Sequence, residues 1–324
     1  MVSAQIEYNS PSQYYKPGDT VTAIVTLKTD KPTLIKCVRC KGFATISPDG
    51  WRSNKEIEYH NSLLWETSEA LNKTIVGEYT NNIQFKLPND CLPSNHGKSN
   101  GSVKYSVQLT IYQPWRIPKK VTVPFYVYHQ TTNEFDELPI TKTIKKEVES
   151  QRALGSIQMS VTIPKSNYSI GETATILIHI DNNSEKIVKK VGWKLVQLGR
   201  FHKDGGMYGV NTSYTHDDVS SGNIALNIAP STSIQFEHPI DIQSNGPTFD
   251  YDDYRLHIEH KFKFNLELDR LIMPIQLEIR FDDIIINVDP SIMKNTIRYM
   301  GATAPMDEEL PTYHEACKNQ MSLP

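Results

Sequence analysis

Two short stretches of this 324-residue sequence hold the residue types from which metal or redox sites are commonly built. Cys37-Val38-Arg39-Cys40 is a Cys-x-x-Cys, and His257-Ile258-Glu259-His260 sets two imidazoles three positions apart. A structural zinc site needs a second pair at fixed spacing, and the sequence holds none. Both stretches also read as strand, where residues three apart point to opposite faces, so neither pair converges on one ion. Asp250-Tyr251-Asp252-Asp253 offers carboxylates for calcium but lacks the glycine and distal glutamate of an EF-hand loop, and a solvated acidic loop is expected. No Gly-x-Ser-x-Gly elbow, His-Glu-x-x-His, glycine-rich phosphate loop or Ser-x-x-Lys stands in a supporting context. The expectation is a protein that is not an enzyme and that takes no metal or cofactor.

Charge gives a second set of candidates. The whole chain carries 34 Lys and Arg against 37 Asp and Glu, so it is no general partner for nucleic acid or an anionic surface. Residues 1–152 nevertheless hold 19 basic against 15 acidic side chains, a net of +4, which leaves −7 for the remainder. Lys36, Arg39 and Lys41 could therefore meet an acidic or phosphorylated peptide. Strict alternation argues against a shared site, because Lys36 and Lys41 then fall on opposite strand faces. Four unevenly spaced cysteines do not make a disulfide framework and are expected as free thiols in a reducing compartment. With no run of ~18 apolar residues and no basic-then-apolar leader at the N-terminus, an intracellular chain is expected.

The elements that would position these residues come from a repeat. At an offset of 153 residues, Tyr15-Lys16-Pro17-Gly18-Asp19-Thr20 aligns with Tyr168-Ser169-Ile170-Gly171-Glu172-Thr173, and the register carries on through Leu34–Val38 over Ile187–Val191. Lys104–Ile111 falls opposite His257–Phe264 at the same offset. Two copies of one domain are implied. Within each copy the apolar period is 2: Val21, Ala23, Val25 and Leu27, then Val103, Tyr105, Val107, Leu109 and Ile111, and in the second copy Ile157, Met159, Val161 and Ile163. Pro17-Gly18, Asn100-Gly101 and Asp204-Gly205-Gly206 supply turns. The reading is all-β, two tandem immunoglobulin-like β-sandwich domains over residues 1–140 and 156–298. Residues 141–155, rich in Lys and Glu with little apolar periodicity, are expected to be a partly helical linker. Residues 299–324, rich in proline and acid, are expected to be a mobile, disordered tail.

Tyr14-Tyr15-Lys16-Pro17-Gly18-Asp19, Lys41-Gly42-Phe43-Ala44, and Leu92-Pro93-Ser94 leading through Gly101 to Val103–Val107 resemble the first domain of arrestin-fold proteins. Ile157–Pro164 with Tyr168–Glu172 resembles the second. The resemblance spans roughly residues 5 to 290. In the tail, Leu310-Pro311-Thr312-Tyr313 matches the Leu/Pro-Pro-x-Tyr ligand of WW domains, in which proline presets an extended backbone and the tyrosine ring fills an apolar groove. The chain is thereby most similar to the arrestin domain-containing proteins, the alpha-arrestins. That resemblance implies a non-enzymatic, cytoplasmic adaptor in membrane-protein trafficking and endocytosis, recruited to the plasma membrane or endosomes by peripheral association only. It would link a receptor or transporter cargo to a WW-domain HECT-type ubiquitin ligase through Leu310, Pro311 and Tyr313. One motif is present where many family members carry several, and nothing matches the buried charged cluster or clathrin-binding tail of the visual and beta-arrestins. The same fold also allows an alternative, a retromer-like arrestin-fold coat subunit in endosomal sorting, which would make no use of Tyr313.

Overall fold

The computed structural model describes residues 2–10, 12–47, 60–96, 102–129, 138–149, 154–204, 210–251, 256–269 and 277–293. The first copy is built from β1 (Val2–Tyr8), β2 (Tyr14–Tyr15), β3 (Thr20–Ser47), β4 (His60–Lys86), β5 (Ser102–Tyr112) and β6 (Lys119–Val127). They join in the order β1-β3-β5-β6-β2, with β4 also paired to β3. A straight strand as long as the 28-residue β3 would run about 90 Å, far more than a domain of this size can hold. A register break between Thr29 and Thr33 solves this. Before it, β3 pairs with β1; after it, with β5. The two halves line one core that holds Val21, Val25 and Leu27 together with Val107, Leu109 and Phe125, so the sheet folds over on itself.

The second copy makes the same corner by interrupting the strands. Its sheets are β13-β10-β8-β7 and β12-β11-β15-β16-β9, with β14 paired to β15. Their ranges are β7 (Ile140–Glu149), β8 (Leu154–Ile163), β9 (Asn167–Ser169), β10 (Thr173–Asn183), β11 (Val188–Asp204), β12 (Val210–Ile228), β13 (Thr232–Asp241), β14 (Phe249–Tyr251), β15 (Leu256–Leu268) and β16 (Leu277–Asn287), followed by a short helix, α1 (Pro290–Met293). Subtracting 153 places β10 and β11 over the two halves of β3. At the corner Asn182 is fully buried: its Nδ2 donates to the carbonyls of Lys186, Ile228 and Ala229, while Oδ1 accepts from the Ser184 hydroxyl at 2.7 Å.

The repeat extends to turn chemistry. Gly18 and Gly171 both sit at positive φ (80° and 88°), a conformation that costs a side chain-bearing residue steric energy. The acid that follows each glycine closes the turn: Asp19 Oδ2 accepts from Lys16 N at 2.7 Å and Glu172 Oε2 from Ser169 N at 2.9 Å. Short strands β2 and β9 then pair in parallel with β6 and β16. The alternating residues anticipated as core are buried, with Ile157, Met159, Val161 and Ile163 at zero exposure.

One expected element differs. The linker assigned to residues 141–155 is instead largely strand: β7 pairs antiparallel with β8 from Ile140↔Ile163 to Glu149↔Leu154 and forms the outer edge of a sheet. Its apolar periodicity is masked because lysines occupy inward positions near the open edge, a common guard against edge-to-edge pairing. Ile140, Lys142, Ile144, Lys146 and Val148 share a face, on which Val148 is buried and Ile144 half-buried. Lys142 holds its ammonium over the Phe281 ring, 5.4 Å from the centroid, and donates to the Arg280 carbonyl at 2.6 Å.

Candidate functional site

Where the two sandwiches meet, four buried polar side chains from distant parts of the chain come together. Asn95 follows β4 in the first copy. Gln197 lies on β11, Ser244 on the segment after β13, and His260 on β15. Each is at most 4% exposed. Gln197 Nε2 donates to Asn95 Oδ1 across the domain boundary at 3.0 Å. A backbone bond runs beside it, from His96 N to Asn245 O at 2.7 Å.

His260 organises the second-domain half. Its Nε2 lies 2.7 Å from Ser244 Oγ and its Nδ1 2.8 Å from Thr248 Oγ1. Ser244 Oγ also lies 2.7 Å from the Gly246 carbonyl, and a neutral imidazole between the two hydroxyls donates through one ring nitrogen and accepts through the other. Thr248 Oγ1 in turn accepts from Ile286 N at 2.9 Å. Complete burial pushes the imidazole down to about 3, which keeps it neutral and able to serve as donor and acceptor at once. His96, its ring tilted against that of Tyr126 at 5.2 Å, is lowered to about 4 by burial and by Lys104.

Gly246 is the point of closest approach. A Cβ there would lie 2.8 Å from Asn95 Oδ1, 2.8 Å from Ser94 O and 2.9 Å from Asn95 Cα, so no side chain fits against the first domain. Around this polar centre the contact is apolar: Leu256 and Ile258 of β15 join the core of the first copy, while Tyr14 packs on the core of the second. A small cleft lined by Tyr14, Ser94, His96, Tyr126, Asn245 and Gly246 has about 20 Å³ of room, enough for one water and too little for a metabolite. Among the described residues, no buried polar side chain is Asp, Glu, Lys or Arg. The seam is therefore a neutral hydrogen-bonded network that fixes the two sandwiches in register, and it offers no buried ion pair for an anionic ligand to break.

The residues singled out from sequence fall elsewhere. His257 and His260 do leave β15 on opposite sides: His257 Nδ1 meets Asp250, His260 the seam. Asp250 is thus in contact with His257, Asp252 and Asp253 lie outside the described residues, and among the described residues no three His, Cys, Asp or Glu side chains gather as a metal set. Cys40 and Cys91 are buried thiols raised to about 11 by desolvation. Lys36, Arg39 and Lys41 do share the outer face, contrary to simple alternation. A bulge between Ile35 and Cys37 turns Lys36 and Cys37 outward together, while Ile35, Val38 and Cys40 stay inside. Glu66, across the pair on β4, sits 3.0 Å from Arg39 Nε and 3.7 Å from Lys41 Nζ, so an acidic peptide would have to displace it. Leu310, Pro311 and Tyr313 lie outside the described residues.

This is a tandem β-sandwich protein whose halves are joined through a neutral seam, with no helix among the described residues long and apolar enough to cross a membrane. Family models described as "Arrestin (or S-antigen), N-terminal domain" and "Arrestin (or S-antigen), C-terminal domain" match residues 4–133 and 153–288, and the chain belongs to the arrestin family. Strand β7 lies in the interval between the two matches. The chain is 25% identical over 198 residues to "Arrestin domain-containing protein B" of Dictyostelium discoideum, covering 56% of this chain and 30% of the relative. It is 21% identical over 202 residues to "Arrestin domain-containing protein 15" of Caenorhabditis elegans, covering 57% and 52% respectively. The aligned regions thus span less than two thirds of either relative's length.

Proposed function

We propose that the chain is a non-enzymatic adaptor in membrane-protein trafficking. The two sandwiches receive a cytoplasmic segment of a receptor or transporter, and Leu310-Pro311-Thr312-Tyr313 docks a WW domain of a HECT-type ubiquitin ligase. The observation that carries this reading is the pairing of two arrestin-family sandwiches, locked by a seam too tight for a small-molecule substrate, with a Leu-Pro-x-Tyr segment beyond the second one. A locked pair of sandwiches presents sheet faces and loops in a fixed arrangement, which suits peptide and protein recognition by strand and loop contacts. The tail supplies a separate short ligand, so cargo and ligase need not compete for one surface. In this reading the protein works in the cytoplasm and reaches the plasma membrane or endosomes by peripheral association.

Binding of the full chain to a panel of isolated WW domains tests the ligase half. Tyr313→Ala removes the ring that fills the WW groove and is expected to weaken binding by roughly tenfold or more, as loss of a buried aromatic anchor does. Equal binding by the two proteins would remove the ligase from the proposal. A stoichiometric coat complex recovered from cells irrespective of residues 299–324 would replace it with the retromer-like role.

A further inference from the structure

The turn between β5 and β6, Gln113 to Pro118, carries an exposed side chain of a type that water does not favour. Trp115 is entirely solvent-exposed and Ile117 is 79% exposed, against the general tendency of large apolar groups to be covered. Trp115 is also held at φ 60°, a left-handed conformation that is rare and strained for a bulky residue. Nothing in the fold of the described residues compensates for this, since the ring projects away from the core.

The turn does not stand alone. Tyr112 pairs with Cys37, three residues after Leu34 of β3. Lys119 Nζ, just past the turn, donates to the carbonyl of Val2, which pairs with Thr29 of β3, so the turn and Leu34 lie toward the same end of the sheet. Leu34 pairs with Thr74 of β4, two residues before Val76. Leu34 is 44% exposed and Val76 62%, so among the described residues one end of the first sandwich displays most of this domain's exposed large apolar side chains. Charge is skewed at the same end. Residues 28–36, 71–78 and 113–120 hold seven Lys and Arg against only Asp30 and Glu78, and Lys28 pairs with Glu78 at 3.4 Å. The turn contains Arg116, and Lys119 and Lys120 open β6 directly after it, with no acid among residues 113–120.

A tryptophan and aliphatic side chains at a tip, ringed by Lys and Arg, match the chemistry of a bilayer interface. Trp prefers the headgroup level, the aliphatics enter the acyl boundary, and the cations meet anionic lipid. We infer that this end of the first domain is a peripheral docking surface for an anionic lipid bilayer, with Trp115 and Ile117 inserting and Arg116 and Lys120 pairing with phosphate headgroups. The basic half of the molecule thereby faces the membrane and the acidic half faces away. This surface is distinct from the tail motif and from the seam, and its test contains neither cargo nor ligase.

The test is co-sedimentation of the full chain with vesicles of phosphatidylcholine alone and of phosphatidylcholine with about 30 mol% phosphatidylserine. Wild-type protein partitions onto the anionic vesicles, less so at high salt, and weakly onto neutral ones. Trp115→Ser with Ile117→Ser lowers the anionic partition by roughly tenfold or more, and Arg116→Glu with Lys120→Glu does the same by removing the electrostatic attraction. Both pairs are exposed, so melting temperatures should hold. As a measurement free of substitution, brominated lipids should quench part of the wild-type tryptophan fluorescence. Partition unaffected by the serine pair, partition indifferent to phosphatidylserine, or absence of quenching would each overturn the inference and leave the patch to a protein partner.

Discussion

Replacing Gly246 with alanine is the sharpest structural test of the seam. The new Cβ would meet Asn95 Oδ1, Ser94 O and Asn95 Cα at 2.8 to 2.9 Å, each about half an ångström too near. The first-domain side cannot yield easily. Ser94 is tied to Val127 through N–O and Oγ–N bonds of 2.7 and 2.9 Å, and Asn95 pairs with Val103 in both directions. The domains must therefore move apart, which stretches Gln197 Nε2–Asn95 Oδ1 from 3.0 Å and His96 N–Asn245 O from 2.7 Å. Overpacking costs about 1–3 kcal/mol and weakening of a buried hydrogen bond about 1 more, offset by a few tenths because alanine narrows the unfolded ensemble. A net loss of about 2–3 kcal/mol should speed exchange of the His96 amide by roughly thirtyfold or more, while amides between β8 and β10 keep their protection. Gly246 is not held at positive φ, so the effect is one of space and not of backbone strain. Unchanged His96 exchange together with an unchanged melting temperature would refute a tight seam at this point.

Three further outcomes follow from the same geometry. His96 and His260 are lowered to about 4 and about 3, so the fold holds both neutral while the unfolded chain protonates near 6.5. Their stabilising contribution is complete above about pH 6.5 and is lost as pH falls toward those values. Denaturant titrations should show roughly 3–4 kcal/mol less stability at pH 5 than at pH 7, with a shallower slope in His260→Gln. Gly171→Ala, forced to φ 88°, should cost about 1–2 kcal/mol in thermal unfolding, and wild-type stability there would contradict the turn assignment. At pH 8 a thiol reagent should reach Cys40 and Cys91 at least roughly a hundredfold more slowly in the native protein than in the unfolded one, because burial raises both thiols from 9 to about 11.

Sequence and structure agree wherever periodicity alone decides burial. The alternation along Ile157–Ile163 and Val103–Ile111 marked the inner faces, and the 153-residue offset located the equivalent glycine turns at Gly18 and Gly171. Strand parity also separated His257 from His260 correctly. Parity failed at Lys36, where a bulge slips the register by one residue and reverses the face of everything before it. It failed again at β7, whose inward lysines hide an edge strand. The seam was least legible. Asn95, Gln197 and Ser244 have no characteristic spacing, and they meet only because two domains dock. A glycine between polar residues at Ser244-Asn245-Gly246 was the available signal, but glycine is common in loops and carries no address for the backbone it must clear.

Site-resolved ubiquitin profiling of membrane proteins tests whether the chain brings a ubiquitin ligase to membrane-protein cargo, as proposed. Cells expressing wild-type protein or Tyr313→Ala in place of the endogenous copy would be compared at equal protein level. In the Tyr313→Ala cells a discrete set of receptors or transporters is expected to lose ubiquitin on cytoplasmic lysines and to accumulate at the cell surface. Identical ubiquitin profiles and surface levels in the two cell lines would contradict it.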